Sequence, residues 1–229
     1  INTSISNLPK NVDIVFICTP IAAITNTIKE VSAHVQQSCI ITDVGSVKAS
    51  IQHDLAKETF SQCIVLAHPM AGKESTGFDH ASSDLFENAP YFLIANNHQG
   101  YTKFKSFIAK LNCSIIETTP TQHDNLMASL SHVPYLSAVA LVTAAKTQAS
   151  DSTLKKSFGP GFRDCTRVAA SSPSWGHDIC TTNKDAILAH LELVIDQLTT
   201  IKKAILNEDK STLTTLFENA QSTRTHLNS

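Results

Sequence analysis

The sequence contains no long apolar run and no cluster of positive charge. Its longer apolar stretches, such as residues 14–18 and 63–67, fall far short of the ~20 residues that span a bilayer. In a chain of 229 residues, 18 Lys and Arg stand against 20 Asp and Glu, which gives a net charge of −2. Nucleic-acid and membrane-surface binding both require clustered basic residues. We therefore expect no nucleic acid and no membrane among the partners. We also expect a cytoplasmic location, because residues 1–11 lack the layout of a secretory signal.

Several motifs that mark enzyme classes are also absent. The six cysteines include no CxxC pair and the ten histidines no HExxH motif, so we expect no metal site. No GxSxG turn is present, which argues against a serine hydrolase. We interpret the cysteines as small buried residues in a reducing cytoplasm. The seven glycines form no GxGxxG turn. Either the sequence is not a dinucleotide-binding domain, or the first strand, turn and helix of such a domain lie outside it.

The first half of the sequence has the pattern of an α/β fold. Three short runs, VDIVFIC, CIITDV and CIVLAH, are apolar almost throughout, which is typical of parallel strands buried on both faces. The stretches between them have the length and pattern of crossover helices. Two further apolar runs follow at residues 91–95 and 113–117, separated by an amphipathic stretch. The pattern predicts a partial doubly wound, Rossmann-like parallel sheet.

The second half has the pattern of an all-helical region. Helical stretches cover residues 123–147, 185–206 and 211–227, with a turn-rich interval around Gly159 and Gly161. Apolar residues spaced three and four apart along residues 185–206 predict an amphipathic helix. A threonine in the segment 118–121 can cap the helix that follows. We therefore predict two domains, residues 1–119 and residues 120–229.

Two loops that follow predicted strands carry candidate ligand contacts. Ligands of open α/β sheets bind outside the carboxyl ends of the strands. Thr19 and Pro20 follow the first strand and suit a cofactor contact, although an ordinary strand-to-helix turn is the simpler explanation. Asp43, Gly45 and Ser46 follow the second strand. Gly45 permits close approach of the backbone to a ligand, and Ser46 either offers a hydroxyl to that ligand or only caps the next helix.

His68 follows the third predicted strand and precedes Pro69, which favours an extended backbone at His68. A histidine held rigidly where a strand enters the crevice is a candidate general base. The alternative is a histidine bonded to a neighbouring carbonyl. We favour the general base because of the position and the rigidity.

Polar clusters also lie in the helical region. Arg163 and Arg167 are four residues apart, so in a helix they would share a face and could bind a carboxylate. A solvated or ion-paired surface helix is the alternative. The clusters as a whole are His123-Asp124 with SHVPY at residues 131–135, and GFRDCTR at residues 161–167 with Trp175 nearby.

The polar motifs, taken in order, resemble the prephenate and arogenate dehydrogenase family of tyrosine biosynthesis. The resemblance extends from residue 12 almost to the C-terminus. It implies a nucleotide-binding domain followed by a helical dimerisation domain, and hence a homodimer. The motifs are DVGSVK, HPMAGKESTG, DLFENAPYFL, SHVP and GFRDCTR, at residues 43–48, 68–77, 84–93, 131–134 and 161–167.

The resemblance implies oxidative decarboxylation of prephenate to 4-hydroxyphenylpyruvate, with NAD or NADP as the hydride acceptor. His68 would accept the hydrogen bond or proton of the ring hydroxyl, and Ser46 would help to hold that hydroxyl. The implied substrate-binding residues are Arg167, His132, Tyr135, Asp164 and Trp175. The implied cofactor-binding residues are Thr19, Pro20, Asp43, Gly45 and Ser46.

Two departures from the family pattern bear on function. Many members have a histidine where this sequence has Tyr135. Because Tyr135 offers no carboxylate to the ammonium group of arogenate, we expect prephenate as the substrate, with arogenate as the alternative. The family's N-terminal unit, with its glycine-rich turn, does not lie within these residues. A shortened, non-catalytic remnant of the family is therefore an alternative. A related dehydrogenase that acts on another hydroxy acid is a third alternative.

Overall fold

The computed structural model describes residues 4–72 and 78–227. It divides the chain into two compact units, Ile1–Ile187 and Leu188–Ser229. The division into two domains at residue 119 stays a prediction, and residue 119 lies within the first unit. All of the candidate site residues lie in that unit.

The α/β region begins with three parallel strands joined by helices. Strand β2 has all four residues buried and pairs in parallel with β1 and with β3. Its adjacent residues Ile40 and Ile41 belong to different apolar clusters, as expected for a strand covered on both faces. The predicted α/β fold with a parallel sheet is thus confirmed. The elements are β1 Ile14–Ile17, α1 Ile21–His34, β2 Ile40–Asp43, α2 Ala49–Leu55 and β3 Cys63–Val65.

The third predicted strand is in fact two strands. The apolar run that begins at Cys63 is interrupted at Leu66, so that β4 starts a second sheet with the order β4-β5-β6. Strand β4 pairs with β5 in the antiparallel direction, while β5 and β6 are parallel. The prediction of one continuous strand in an all-parallel sheet is therefore wrong here. The elements are β4 Ala67–Pro69, β5 Pro90–Ile94, α3 Gln99–Ile108 and β6 Ser114–Thr118.

Helices follow the last strand. Thr119 caps the first of them in a capping box with Gln122, which satisfies backbone N–H groups at the helix start. A π-helical segment, Ala128–His132, interrupts the long helical stretch, and 3-10 helix Arg167–Ala170 follows α7. The interval expected to be rich in turns also contains helices. The elements are α4 Pro120–Met127, α5 Val133–Gln148, α6 Asp151–Ser157, α7 Pro160–Thr166, α8 Pro173–Thr182, α9 Lys184–Leu206 and α10 Lys210–His226.

The continuous helical segment Pro120–Gln148 is long and apolar enough to cross a membrane by length and composition alone. Core helices of water-soluble proteins meet the same criteria, so the feature is weak evidence for a membrane span. Only 28% of its most apolar window is buried. Helix α5 consequently presents apolar side chains such as Leu141 and Val142 on its exposed surface.

The six cysteines are all free. Cys39 and Cys63 are buried, but Cys18 and Cys165 are exposed. The prediction that the cysteines act as small buried residues is therefore wrong for these two, which lie at a strand end and on helix α7.

Candidate active site

A cavity of about 340 Å³ lies at the carboxyl ends of β1 and β2, beside β4. This is the place where open α/β sheets bind ligands. The cavity brings together residues that lie far apart in the sequence, from the loop after β1 to the start of α8. The candidate site residues that line this cavity are Thr19, Pro20, Gly45, Ser46, His68 and Trp175.

The loop after β2 is fixed by a buried ion pair. Asp43 and Lys48 have fully buried side chains and bind each other. Asp43 also accepts hydrogen bonds from the backbone N–H of Gly45 at 2.9 Å and of Ala67 at 3.1 Å. Burial lowers the pKa of Lys48, although Asp43 acts in the opposite direction. Both oxygens of Asp43 thus bind donors of the protein itself, and its predicted cofactor contact stays a prediction.

Gly45 is required by the close packing of this loop. A Cβ atom at this position would lie 2.6 Å from Ile24 Cδ1 and 3.0 Å from Asp43 Oδ2. A larger residue would require the Ile24 side chain or the loop to shift. The glycine therefore serves the packing of the loop that carries Ser46.

Ser46 lies in the cavity and does not cap α2. Helix α2 begins at Ala49, and its N-cap residue Lys48 makes no side-chain cap. The capping group is Asp124, whose carboxylate accepts the backbone N–H of Lys48 and that of Ala49 at 2.8 Å each. Of the two alternatives for Ser46, the plain N-cap is therefore wrong. Its hydroxyl oxygen instead accepts a hydrogen bond from Trp175 Nε1 at 3.1 Å.

Trp175 lies between Ser46 and an aromatic cluster. Its ring centroid is 5.1 Å from that of Tyr135 and 6.0 Å from that of His132, both in edge-to-face geometry. Tyr135 is buried, and a Cβ added at Gly176 would come within 2.5 Å of its hydroxyl oxygen. The tyrosine thus occupies the space next to Trp175 that the absent side chain of Gly176 leaves open.

His68 lies on β4 and is buried, with 8% of its surface exposed. Its Nδ1 is 2.9 Å from Nε2 of His123, and Nδ1 of His123 is 2.7 Å from Oδ1 of Asp124. Burial, reinforced by the positive charge of Lys48, holds the pKa of His68 well below its usual value. The imidazole is therefore neutral near pH 7 and can act as a base.

His132 belongs to the π-helical segment and is fully buried. Its Nδ1 lies 3.2 Å from the side-chain amide nitrogen of Asn183, which also donates to the carbonyl of Asp124. Its Nε2 has no hydrogen-bond partner among the residues that the structure describes. Burial lowers the pKa of His132 to about 4, against the opposing charge of Asp124.

The arginine motif lies apart from the cavity. Arg163 is on α7 with its guanidinium 5.6 Å from the ring centroid of Phe158. Helix α7 ends at Thr166, and Arg167 begins the 3-10 helix that follows. The two arginines therefore do not share one regular helix. Arg167 and Asp164 are exposed and are not among the described residues that line the cavity, so their roles stay predictions.

Two further expectations concern metals and the glycine-containing loop after His68. No group of three or more His, Cys, Asp or Glu residues that could hold a metal ion occurs within residues 4–72 and 78–227. Part of the motif HPMAGKESTG, residues 73–77, lies outside the described residues.

Sequence reasoning did not assign roles to three residues that the structure places around His68. Lys48 belongs to the motif DVGSVK, and the sequence pattern shows His123 and Asp124 only as a polar pair. The available signal for His123 and Asp124 is that two adjacent polar residues occur near the start of a helix that Thr119 caps. Its partner could not be deduced, because His68 lies 55 residues earlier in the chain.

Comparisons with known proteins match both halves of the chain. The family model "Prephenate dehydrogenase, nucleotide-binding domain" matches residues 2–117, and "Prephenate dehydrogenase, dimerization domain" matches residues 119–219. The prephenate dehydrogenase of Bacillus subtilis is 32% identical over 217 residues, which are 92% of this chain and 58% of that protein. The chain thus spans little more than half of that relative.

Solved structures of an arogenate and a prephenate dehydrogenase also superpose on this chain. The arogenate dehydrogenase of Synechocystis superposes with a TM-score of 0.79 at 30% identity, covering 98% of this chain and 82% of that one. The prephenate dehydrogenase of Aquifex aeolicus, solved with hydroxyphenyl propionate and NAD+, has a TM-score of 0.84 at 25% identity. That match covers 94% of this chain and 76% of the other.

Proposed function

The chain belongs to the prephenate dehydrogenase family, and on that premise we propose that the full-length protein oxidatively decarboxylates prephenate to 4-hydroxyphenylpyruvate, with NAD or NADP as the hydride acceptor. The observation that carries the proposal is the neutral, buried His68 in one cavity with Ser46. A cytoplasmic location and the division near residue 119 belong to the same proposal.

The residues of the cavity fit a nicotinamide ring. Thr19 Oγ1 is buried without a partner among the described residues, and Thr19 lines the cavity. An unsatisfied buried hydroxyl is costly unless a ligand completes it, and the carboxamide of a nicotinamide offers matching groups. Thr19, Pro20 and Gly45 would hold this side of the cofactor. When bound, the cofactor accepts the hydride from the substrate.

His68 and Ser46 would act together on the ring hydroxyl of prephenate. The Ser46 oxygen accepts the Trp175 N–H, so its own proton is available to donate to the substrate oxygen. His68 accepts the hydrogen bond from the substrate hydroxyl and holds its proton while the adjacent C–H bond breaks. The proton returns to the oxygen, since the product keeps its hydroxyl, and loss of the ring carboxylate as carbon dioxide makes the ring aromatic.

The substrate side chain would lie toward Tyr135 and His132. Tyr135 is buried against Trp175 and brings no carboxylate, so nothing at that position pairs with the ammonium of arogenate. The unpartnered Nε2 of His132 is a donor suited to a carboxylate or keto oxygen. Arg167 would supply the positive charge for a substrate carboxylate. We therefore favour prephenate, with arogenate as the second candidate.

A homodimer is part of the proposal. Leu141 and Val142 on α5 are 49% and 36% exposed, and apolar helix faces of this kind often form interfaces. Light scattering should give a dimer at micromolar concentration. Leu141→Asp should shift it toward the monomer, and an unchanged dimer would show that α5 is not the interface.

The test of the activity uses the full-length protein with prephenate or arogenate and with NAD+ or NADP+. We expect turnover of prephenate, with 4-hydroxyphenylpyruvate as the product. In His68→Asn the turnover number should fall by about 10²- to 10⁴-fold, the range of a lost general base. His53→Asn, at an exposed position on α2, is the matched control and should remain active. Near-normal turnover by His68→Asn would refute the role of His68. Failure to bind either dinucleotide would favour a non-catalytic remnant.

A further inference from the structure

We propose that His123 and Asp124 are positioning residues that hold His68 in one tautomer, with its Nε2 lone pair available to the cavity. The inference rests on the proposed function for the use of that lone pair. The tautomer itself can be observed whether or not the protein turns over prephenate.

The argument starts from Asp124. Its carboxylate accepts the backbone N–H of Lys48 and of Ala49, two donors whose direction is fixed by the start of α2. An ionised carboxylate has acceptor atoms only and donates no hydrogen bond. The contact of Oδ1 with His123 Nδ1 at 2.7 Å therefore requires the proton on Nδ1 of His123.

The second step follows from the chemistry of a neutral imidazole, which carries one N–H and one lone pair. With its proton on Nδ1, His123 has an acceptor at Nε2. That atom lies 2.9 Å from Nδ1 of His68, so His68 must donate from Nδ1. Nε2 of His68 is consequently unprotonated, which is the form that a general base needs.

The surroundings oppose the other protonation states. His68 is buried, so a second proton on its ring would place an added charge in a poorly solvated region. The charged and titratable groups that act on His68 are Lys48, His123 and His132, and all three disfavour its protonated form. Burial and these three neighbours thus oppose protonation of His68, while the carboxylate of Asp124 faces His123 on the other side of the pair.

The ring of His68 is also held in place. The ring of Phe92 on β5 stacks against it with an interplanar angle of 26° and a centroid distance of 6.5 Å. The same phenyl ring meets His123 edge-on at 5.3 Å. Phe92 thus packs against both imidazoles of the pair. The hydrogen bonds select the tautomer, and the phenyl ring packs beside the imidazole that they orient.

A pair of substitutions at His123 separates this role from a purely structural one. Gln places a side-chain oxygen near the former Nε2, so His123→Gln retains an acceptor for His68. Asn places its amide near the former Nδ1, so His123→Asn retains the contact with Asp124 and loses the one with His68. Neither substitution removes the cap that Asp124 provides to α2.

The first measurement is the tautomer of His68 in the full-length protein, from the ring ¹⁵N chemical shifts near pH 7. We expect a protonated Nδ1 and an unprotonated Nε2 in the unmodified protein and in His123→Gln, and a mixture in His123→Asn. His53→Gln is the matched control and should leave the His68 signals unchanged. The opposite tautomer in the unmodified protein would overturn the proposal.

The second measurement is the kinetics with prephenate. In His123→Asn, kcat should fall by about 10²-fold, because part of His68 no longer has the tautomer that a general base needs. KM should change little. His123→Gln should recover about tenfold or more of that loss. Equal losses in both folded variants, or an unchanged His68 tautomer in His123→Asn, would contradict the positioning role. An enzyme inactive with prephenate but with the expected tautomer would refute the proposed function and leave the positioning pair in place.

Discussion

The buried ion pair between Lys48 and Asp43 allows a quantitative prediction about stability. Both side chains are fully buried, so solvent does not screen the pair. In Lys48→Met the methylene stem is largely replaced, and the cavity that remains is small. The carboxylate of Asp43 keeps its two backbone donors, Gly45 and Ala67, but loses its only cationic partner among the described residues.

Removing one partner of a buried pair typically costs about 3–5 kcal/mol, because the other charge is left uncompensated. We therefore expect Lys48→Met to lower the free energy of unfolding by about 3–5 kcal/mol. The matched control is Lys29→Met. Lys29 pairs with Glu58 at 2.7 Å, but their side chains are 38% and 44% exposed, so the cost should be no more than about 1 kcal/mol.

The assay is urea denaturation of the full-length protein at pH 7, followed by circular dichroism. The double variant Asp43→Asn/Lys48→Met should be less destabilised than the sum of the two single variants, since it lacks the uncompensated charge. A loss in Lys48→Met as small as that of Lys29→Met would refute the reasoning. Strict additivity in the double variant would do the same.

Three further outcomes are expected. Gly176→Ala should lower the free energy of unfolding by about 1–3 kcal/mol, because the added Cβ collides with Tyr135. The matched control is Gly161→Ala, whose added Cβ has nothing within 4 Å. In thermal melts this control should be neutral or slightly stabilising. The pKa of His132 is lowered to about 4, so the unfolded chain binds the proton more tightly. His132 should therefore contribute a loss of stability of about 2–3 kcal/mol as the pH drops from about 6.5 toward 4, in addition to the loss from His68, whose pKa is also lowered. A pH series of denaturation curves should show less loss in His132→Gln than in the unmodified protein. Arg167→Ala should raise KM for prephenate about tenfold or more with a smaller change in kcat, as expected for lost ground-state binding; unchanged steady-state constants would remove Arg167 from the site.

Local sequence patterns were sufficient for most of the fold. The buried run of β2 and the spacing of Ile21, Ile24, Ile28 and Val31 on α1 both follow from periodicity. The break at Leu66 did not follow, because a continuous apolar run fits one buried strand as well as two short ones. The antiparallel pairing of β4 with β5 depends on how the chain returns after that break, which local patterns do not encode.

The candidate site was predictable only in part. His68 and Ser46 are predictable because each follows an apolar, strand-like run in the sequence. The structure places His68 on β4 itself and brings both residues to one cavity. The sequence could not reveal that Asp124 caps α2, since the bonded groups lie 75 and 76 residues apart. Ser46 had the right residue type for that cap, but a more distant carboxylate provides it. Long-range hydrogen bonds of this kind have no local signature.

The cap that Asp124 provides also bears on how this protein can be divided or recombined. The two family-defined parts meet between residues 117 and 119, yet the first turn of α2 in one part is completed by a carboxylate from the other. A fragment that ended at residue 118 would leave buried backbone N–H groups and the His68 ring without acceptors. Chimeras that join the first part of one relative to the second part of another should therefore fold best when the α2 start, His68 and the His-Asp pair come from the same parent. The boundary that sequence comparison draws therefore crosses the hydrogen bonds that complete the first turn of α2.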